Sequence, residues 1–319
     1  MTAVDRSCMR DEPSWRPLTR RDLGVAASIS DVIGAGVAEH PSVAGAIRRA
    51  DNALFFSDTG GDHQRASHRA HAYLVVEPQS VHLWREAWKP LRGTLLRDQR
   101  RMSYVRLGDR RRGEALDGFL RVTQHLVGFV VVILIDKRQK LFAGDDAPDE
   151  FQHWKSKAFE RLLTTTHLLS ILLSGLTRER QDILWTSDED DIAPNDARMW
   201  DVCDVVGRVS AHYLDHDLGH FRFATTKSDD GSRELEDLVA IPDLAAGCLA
   251  EVSASYRHLG ATLSPNLVLP VPAALPPKAA RLLRWITESS GGLRHIVVSV
   301  DPNEPASKFV VRRLAFTTN

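Results

Sequence analysis

Four aspartates stand where apolar segments end or turn, and carboxylates gathered that way can hold a hard cation, which takes oxygen ligands from several elements. In "ALFFSDTGGD", residues 53–62, an apolar run ends at Asp58 and two glycines follow at once. "VVVILI" ends at Asp136, before Lys137, and "DILWTS" ends at Asp188, before Glu189, Asp190 and Asp191. Asp243 lies in "AIPDLAAG", where Ile241, Leu244, Ala245, Cys248 and Val252 follow helical spacing. It stands off that stripe, beside Ala246, Gly247 and Ala250, small residues that let a backbone or a ligand approach closely. If the three strands run parallel, their C-terminal ends line one crevice. Each aspartate also has an ordinary role: Asp58 can open a turn, Asp136 can end a strand in solvent, and 188–191 can form an acidic loop. Asp243, with Pro242 read as part of the helix's first turn, can complement the helix dipole.

A second pattern is cationic. Between residues 97 and 113 stand Arg97, Arg100, Arg101, Arg106, Arg110, Arg111 and Arg112, interrupted by Tyr104. Guanidinium forks suit phosphates and a tyrosine can stack on a base, so Arg100, Arg101, Arg110 and Arg111 are candidates for nucleic-acid contact. "HYLDHDLGH" spaces His212, His216 and His220 four apart, but Gly219 ends the helix early and no zincin glutamate follows, which favours a structural role. His63, His68 and His71 fall in or beside the polar loop after Asp58. No G-x-S-x-G elbow supports serine hydrolase chemistry.

The elements that must position these groups alternate between strand and helix, which argues for an α/β sheet covered on both faces. The chain of 319 residues is long enough for a sizeable core, and its net charge of −1 gives no global pull towards nucleic acid or membrane. Cys8, Cys203 and Cys248 are scattered and form neither a disulfide framework nor a zinc pattern. The N-terminus lacks an apolar signal core, and apolar runs such as 129–135 are too short for a bilayer, so the expectation is a cytoplasmic protein without membrane contact. Residues 1–50 read as a loose leader (1–18) and helices, 51–260 as the main domain, and 261–319 as a proline-rich connector, a helix and two strands packed on it.

The order of these motifs resembles the bacterial family called domain of unknown function 3800, placed among ribonuclease-H-like folds. "FFSDTGG" resembles its opening Asp-Glu-Ser-Gly strand, "AYLVV" the next strand, "ILIDK" its Ile-Asp-Lys strand and "WTSDE" its Phe-Asp-Glu strand, while "AIPDLAAG" resembles its final Gln-Leu-Ala-Asp-Leu helix. The likeness covers residues 50–258, with Thr59 in place of the family glutamate and Ala240 in place of the glutamine. It implies a ribonuclease-H-like mixed sheet with helices on both faces, extended by N-terminal helices and a C-terminal helix and strands. It further implies metal-dependent phosphodiester hydrolysis of nucleic acid, with Mg²⁺ or Mn²⁺ held by Asp58, Asp188 and Asp243 and with Asp136 as an additional site residue. Such sites usually add a glutamate from an early helix, for which Glu86 and Glu114 are candidates. The rival expectation is a catalytically inactive module of the same fold that binds nucleic acid, a partner protein or a second copy of itself.

Overall fold

Period-two and fully apolar segments build one eight-stranded mixed sheet in a computed structural model, which describes residues 14–142, 149–188, 192–256, 264–288, 291–303 and 308–317. Glu189, Asp190, Asp191 and Cys8 lie outside the described residues. Strand β1 (Asn52–Gly60) pairs antiparallel with β2 (His68–Val76), and β2 antiparallel with β3 (Gly128–Asp136). On its other side β1 pairs in parallel with β4 (Asp182–Ser187), and β4 in parallel with β5 (Phe221–Thr225). The order β5-β4-β1-β2-β3 with these directions is the ribonuclease-H-like arrangement expected from the sequence.

The C-terminal part extends the same sheet. β7 (Leu293–Asn303) pairs in parallel with β3, and β8 (Lys308–Thr317) antiparallel with β7. The outer edge is β6 (Asn266–Pro270), which pairs in parallel with β8. The proline-rich stretch read as a connector thus contributes a third strand. An edge tolerates a proline at its end because a missing N–H costs little there.

Alternation along the strands splits the core into two. Phe55, Tyr73 and Val131 face α1 (Val25–Ala38), α2 (Pro41–Arg49), α5 (Ser156–Leu176) and α6 (Asp196–Ser210). Phe56, Leu74 and Val132 face α3 (Pro78–Leu95), α4 (Arg110–Val122), α7 (Glu234–Ser253) and α8 (Pro277–Thr287). The end of the expected leader is part of the first core. Trp15 is buried where Gly34 and Gly175 leave space for its ring, and its indole N–H donates to Ser30 Oγ at 3.3 Å.

Two local readings change. The apolar run ends at Ser57, but β1 continues through Asp58 to Gly60, with Asp58 paired to Ala72, so Asp58 is a strand residue and not a turn residue. Helix α7 starts at Glu234, eight positions before Pro242, which is therefore interior. The early start follows from Asp229, whose carboxylate accepts from the backbone N–H groups of Gly231, Arg233 and Leu235 at 2.8–2.9 Å and so satisfies donors at the helix entrance. Asp243 is then remote from the helix N-terminus, and the dipole gives it no support. Among the described residues, the segment Glu234–Tyr256 is the one helix long and apolar enough to cross a membrane, and most of it is buried inside the protein, where α7 packs on β1, β2 and β3.

Candidate active site

The parallel register of β1 and β4 pairs Ser57 with Ser187, so Asp58 and Asp188 follow side by side at the C-terminal ends of two central strands. The alternation set by Phe56 places Asp58 on the sheet face that α7 covers. The helix comes close because both surfaces are bare: a Cβ added at Gly60 would lie 3.0–3.1 Å from the backbone of Ala246 and Gly247. That approach carries half-buried Asp243 towards the two strand aspartates.

Each carboxylate is held by this chain's own donors. Asp188 Oδ1 accepts from the Thr226 hydroxyl at 2.9 Å and from Arg101 Nη1 at 2.8 Å. Asp58 Oδ1 accepts from the Thr59 N–H at 2.6 Å. Asp243 Oδ2 accepts from the Tyr104 N–H at 2.8 Å, with the Ser103 hydroxyl as a second donor. Arg101 ties the group together: its hydrogen bond to Asp188, with the charges of Asp243 and Asp58, holds its pKa above the ordinary value. Burial pushes the Asp243 carboxyl up to about 6, against its hydrogen bonds to Tyr104 and Ser103, and the charge of Asp188 adds to the rise.

Arg101 reaches the cleft because the connection between α3 and α4 is anchored on α7. The Tyr104 ring lies where a Cβ at Gly247 would have to stand, its hydroxyl hydrogen-bonds Glu251, and Lys278 Nζ sits 4.0 Å from the ring centroid. The small face of α7 thus receives Tyr104. The four arginines proposed for phosphates are distributed unevenly. Arg101 lies on Asp188, and Arg100 pairs with Asp98 and, at 2.7 Å, with Asp109. Arg110 and Arg111 are on the exposed first turn of α4, paired with Glu114 and Asp98 at 2.8 Å each.

Asp136 belongs to a different centre. By register it lies two strands from Asp58 and four residues further along, roughly 17 Å away at about 4.8 Å per strand and 3.4 Å per residue. It stands opposite His68, and His68 Nε2 meets Asp301 Oδ1 at 2.8 Å. Asp301 Oδ2 accepts from Ser299 Oγ at 2.8 Å and from fully buried Arg312 at 2.9 Å, while both oxygens of Asp136 accept from Arg138. The ligand atoms of His68, Asp136 and Asp301 all lie within 4.8 Å of one another, the one such trio of His, Cys, Asp or Glu among the described residues. The spacing would admit an ion, but two arginines already supply positive charge there. The three cleft aspartates are spread more widely.

His68 and His71 are buried residues of β2, so the polar loop after Asp58 does not contain them. Strand alternation sends His71 to the opposite face, where burial pulls its pKa down to about 3. Glu86 and Glu114 are exposed, on α3 and α4. Sequence reasoning missed the contact of Arg101 with Asp188, the role of Asp301, and Asp237, which is buried with Arg92 at 3.0 Å and the Trp88 indole N–H at 2.7 Å. Periodicity marks none of these, because each contact joins segments far apart in the chain. No protein-family model matches the chain, and no curated protein matches it.

Two outcomes are expected. Because the folded state raises the Asp243 pKa, that group contributes stability below about pH 4 that is lost as pH rises through about 6. Asp243→Asn keeps an acceptor for Tyr104 and removes the charge. It should be more stable than wild type above pH 6 by about 1–2 kcal/mol in urea titrations, with the gap closing near pH 4. Arg312→Met should cost about 3–5 kcal/mol at pH 7, because it leaves the Asp301 carboxylate buried without its guanidinium.

Proposed function

We propose that this chain is a metal-dependent nuclease or phosphodiesterase acting on nucleic acid. The observation that carries the reading is the convergence of Asp58 and Asp188, adjacent ends of parallel central strands, with Asp243 from the helix packed across them. The donor set is all oxygen and comes from three elements, which suits a hard cation. Three carboxylates facing one guanidinium is also the charge pattern that a divalent ion completes. Asp58, Asp188 and Asp243 would hold Mg²⁺ or Mn²⁺, which supplies Lewis-acid activation of water and charge stabilisation of the leaving oxygen when bound.

The protein's part is orientation. Thr226 orients Asp188, the Tyr104 N–H orients Asp243, and Arg101 balances the cleft's negative charge. The motif order supports membership of the domain-of-unknown-function-3800 family, with Thr59 in place of its glutamate. One observation favours the rival, a catalytically inactive binding module: Arg101 forms an ion pair with Asp188 and so does part of a cation's electrostatic work.

Mn²⁺ at 100-fold excess over its dissociation constant should stabilise the wild type by about 2.7 kcal/mol, a rise of several degrees in melting temperature. Asp58→Asn should abolish that rise and lower Mn²⁺-dependent cleavage of single- and double-stranded DNA and RNA by at least about 100-fold. Arg101→Ala should bind Mn²⁺ more tightly than wild type. A wild type and an Asp58→Asn variant equally indifferent to Mn²⁺, with no cleavage, would overturn the nuclease reading.

A further inference from the structure

Arg101 stands on Asp188, and the backbone that carries it is held by two other arginines. Arg92, in the last turn of α3, donates from Nη1 to the Arg100 carbonyl at 3.2 Å. Arg112, in the first turn of α4, donates from Nε to the Arg101 carbonyl at 2.8 Å. Both side chains are buried. The two carbonyls belong to the two peptide planes that meet at the Arg101 Cα. Holding both planes fixes φ and ψ of Arg101, and with them the direction of its Cα–Cβ bond. Two residues earlier, Gln99 has a φ of 60°, a left-handed conformation that is costly for a residue other than glycine and persists only where the surroundings impose it.

Arg92 is seated in turn on α7. Its Nε lies 3.0 Å from Asp237 Oδ2, which also accepts from the Trp88 indole N–H at 2.7 Å. Trp88 and Arg92 are four residues apart on α3 and so meet Asp237 together. Asp237 Oδ1 and Arg92 Nη2 are buried and have no hydrogen-bond partner among the described residues. Burial pushes the Asp237 carboxyl up to about 7, against the charge of Arg92. In a buried ion pair left open on both members, desolvation offsets much of the attraction, and apolar side chains in its place are often as stable. What an apolar pair would lack is the reach to the Arg100 carbonyl.

We propose that Arg92, seated on Asp237, and Arg112 are positioning residues that hold Arg101 on Asp188 and so set how readily a divalent cation enters among Asp58, Asp188 and Asp243. The part that concerns the cation rests on the metal-site reading above, whereas the hold on Arg101 does not. With its backbone fixed, Arg101 loses little further entropy in keeping its guanidinium on Asp188, and an incoming cation has to displace it. With the backbone released, the same contact is an ordinary half-exposed ion pair, which contributes little. Tyr104 keeps its own seat on Gly247 and Glu251, so Asp243 retains the Tyr104 N–H when the hold on Arg101 is loosened.

The experiment uses the full chain as wild type, as Arg92→Lys, and as the Arg92→Met, Asp237→Asn double variant, each with and without Arg101→Ala. Arg92→Lys keeps a charge beside Asp237 but has no fork to reach Arg100 as well. Asp237→Asn leaves an acceptor for the Trp88 indole and no unpaired charge. Modification of Arg101 by phenylglyoxal in EDTA, followed by peptide mass spectrometry, reads the hold without any metal. Both altered proteins should be modified at Arg101 at least about threefold faster than the wild type, with the rate at Arg138 unchanged. Calorimetric titration should show both binding Mn²⁺ at least about threefold more tightly, and in the Arg101→Ala background the same changes should alter affinity by less than about twofold. Wild-type reactivity of Arg101 in both proteins would overturn the proposal. So would a change in Mn²⁺ affinity of equal size with and without Arg101, which would assign Arg92 to packing alone. Faster modification with unchanged Mn²⁺ affinity would overturn the part played in cation entry. Faster modification in a chain that binds no Mn²⁺ in any form would support the hold and remove the metal-site reading.

Discussion

The close seating of α7 on β1 is the constraint on which the candidate site depends. Gly60 and the small residues of α7 let a helix backbone approach a strand to a distance that larger side chains would prevent. Three consequences follow from that approach. Asp243 is brought to the strand aspartates, Gly247 leaves a face for the Tyr104 ring, and Tyr104 then presents its backbone N–H to Asp243 and delivers Arg101 to Asp188. Any residue larger than glycine at position 60 or 247 would disturb all three together.

The molecule holds two groups of acids on one sheet face, and they are managed differently. Asp136 and Asp301 sit within a ladder of His68, Ser299, Arg138 and Arg312 that crosses β2, β3, β7 and β8. Each acid there has a guanidinium of its own, so the group reads as a structural tie between the ribonuclease-H-like strands and the C-terminal extension. In the cleft, Arg101 pairs with Asp188 and its charge also acts on Asp243 and Asp58, and Asp243 retains its proton more readily than an ordinary aspartate. Charge crowding of that kind is frequent at sites that bind or act on a ligand, and it also occurs in structural ion-pair networks.

Much of the fold was legible because strand periodicity and motif order are local signals. The apolar runs at 53–57 and 129–135 and the parallel partner at 182–187 became central strands, and the stripe Ile241–Leu244–Cys248–Val252 became a buried helix face. The errors fell where a distant partner decides. A strand continued through Asp58 because β2 supplied its hydrogen bonds, and α7 began before Pro242 because Asp229 satisfied its entrance. Asp136 looked equivalent to Asp58 and Asp188 in sequence, each being an acid at the end of an apolar run. Register separated them, since β3 pairs with β2 and β7 and not with β1 or β4. Arg101 looked like a solvent-facing phosphate contact, and only the anchoring of Tyr104 on Gly247 turns it into the cleft.

A crystal structure of the full chain soaked with Mn²⁺, with anomalous scattering used to locate the ion, tests the central claim most directly. The expected result is an anomalous peak coordinated by Asp58 and Asp188, with Asp243 on the same ion or its neighbour and the Arg101 guanidinium moved off Asp188. A peak confined to His68, Asp136 and Asp301, or no peak with Arg101 still on Asp188 at saturating Mn²⁺, would contradict it.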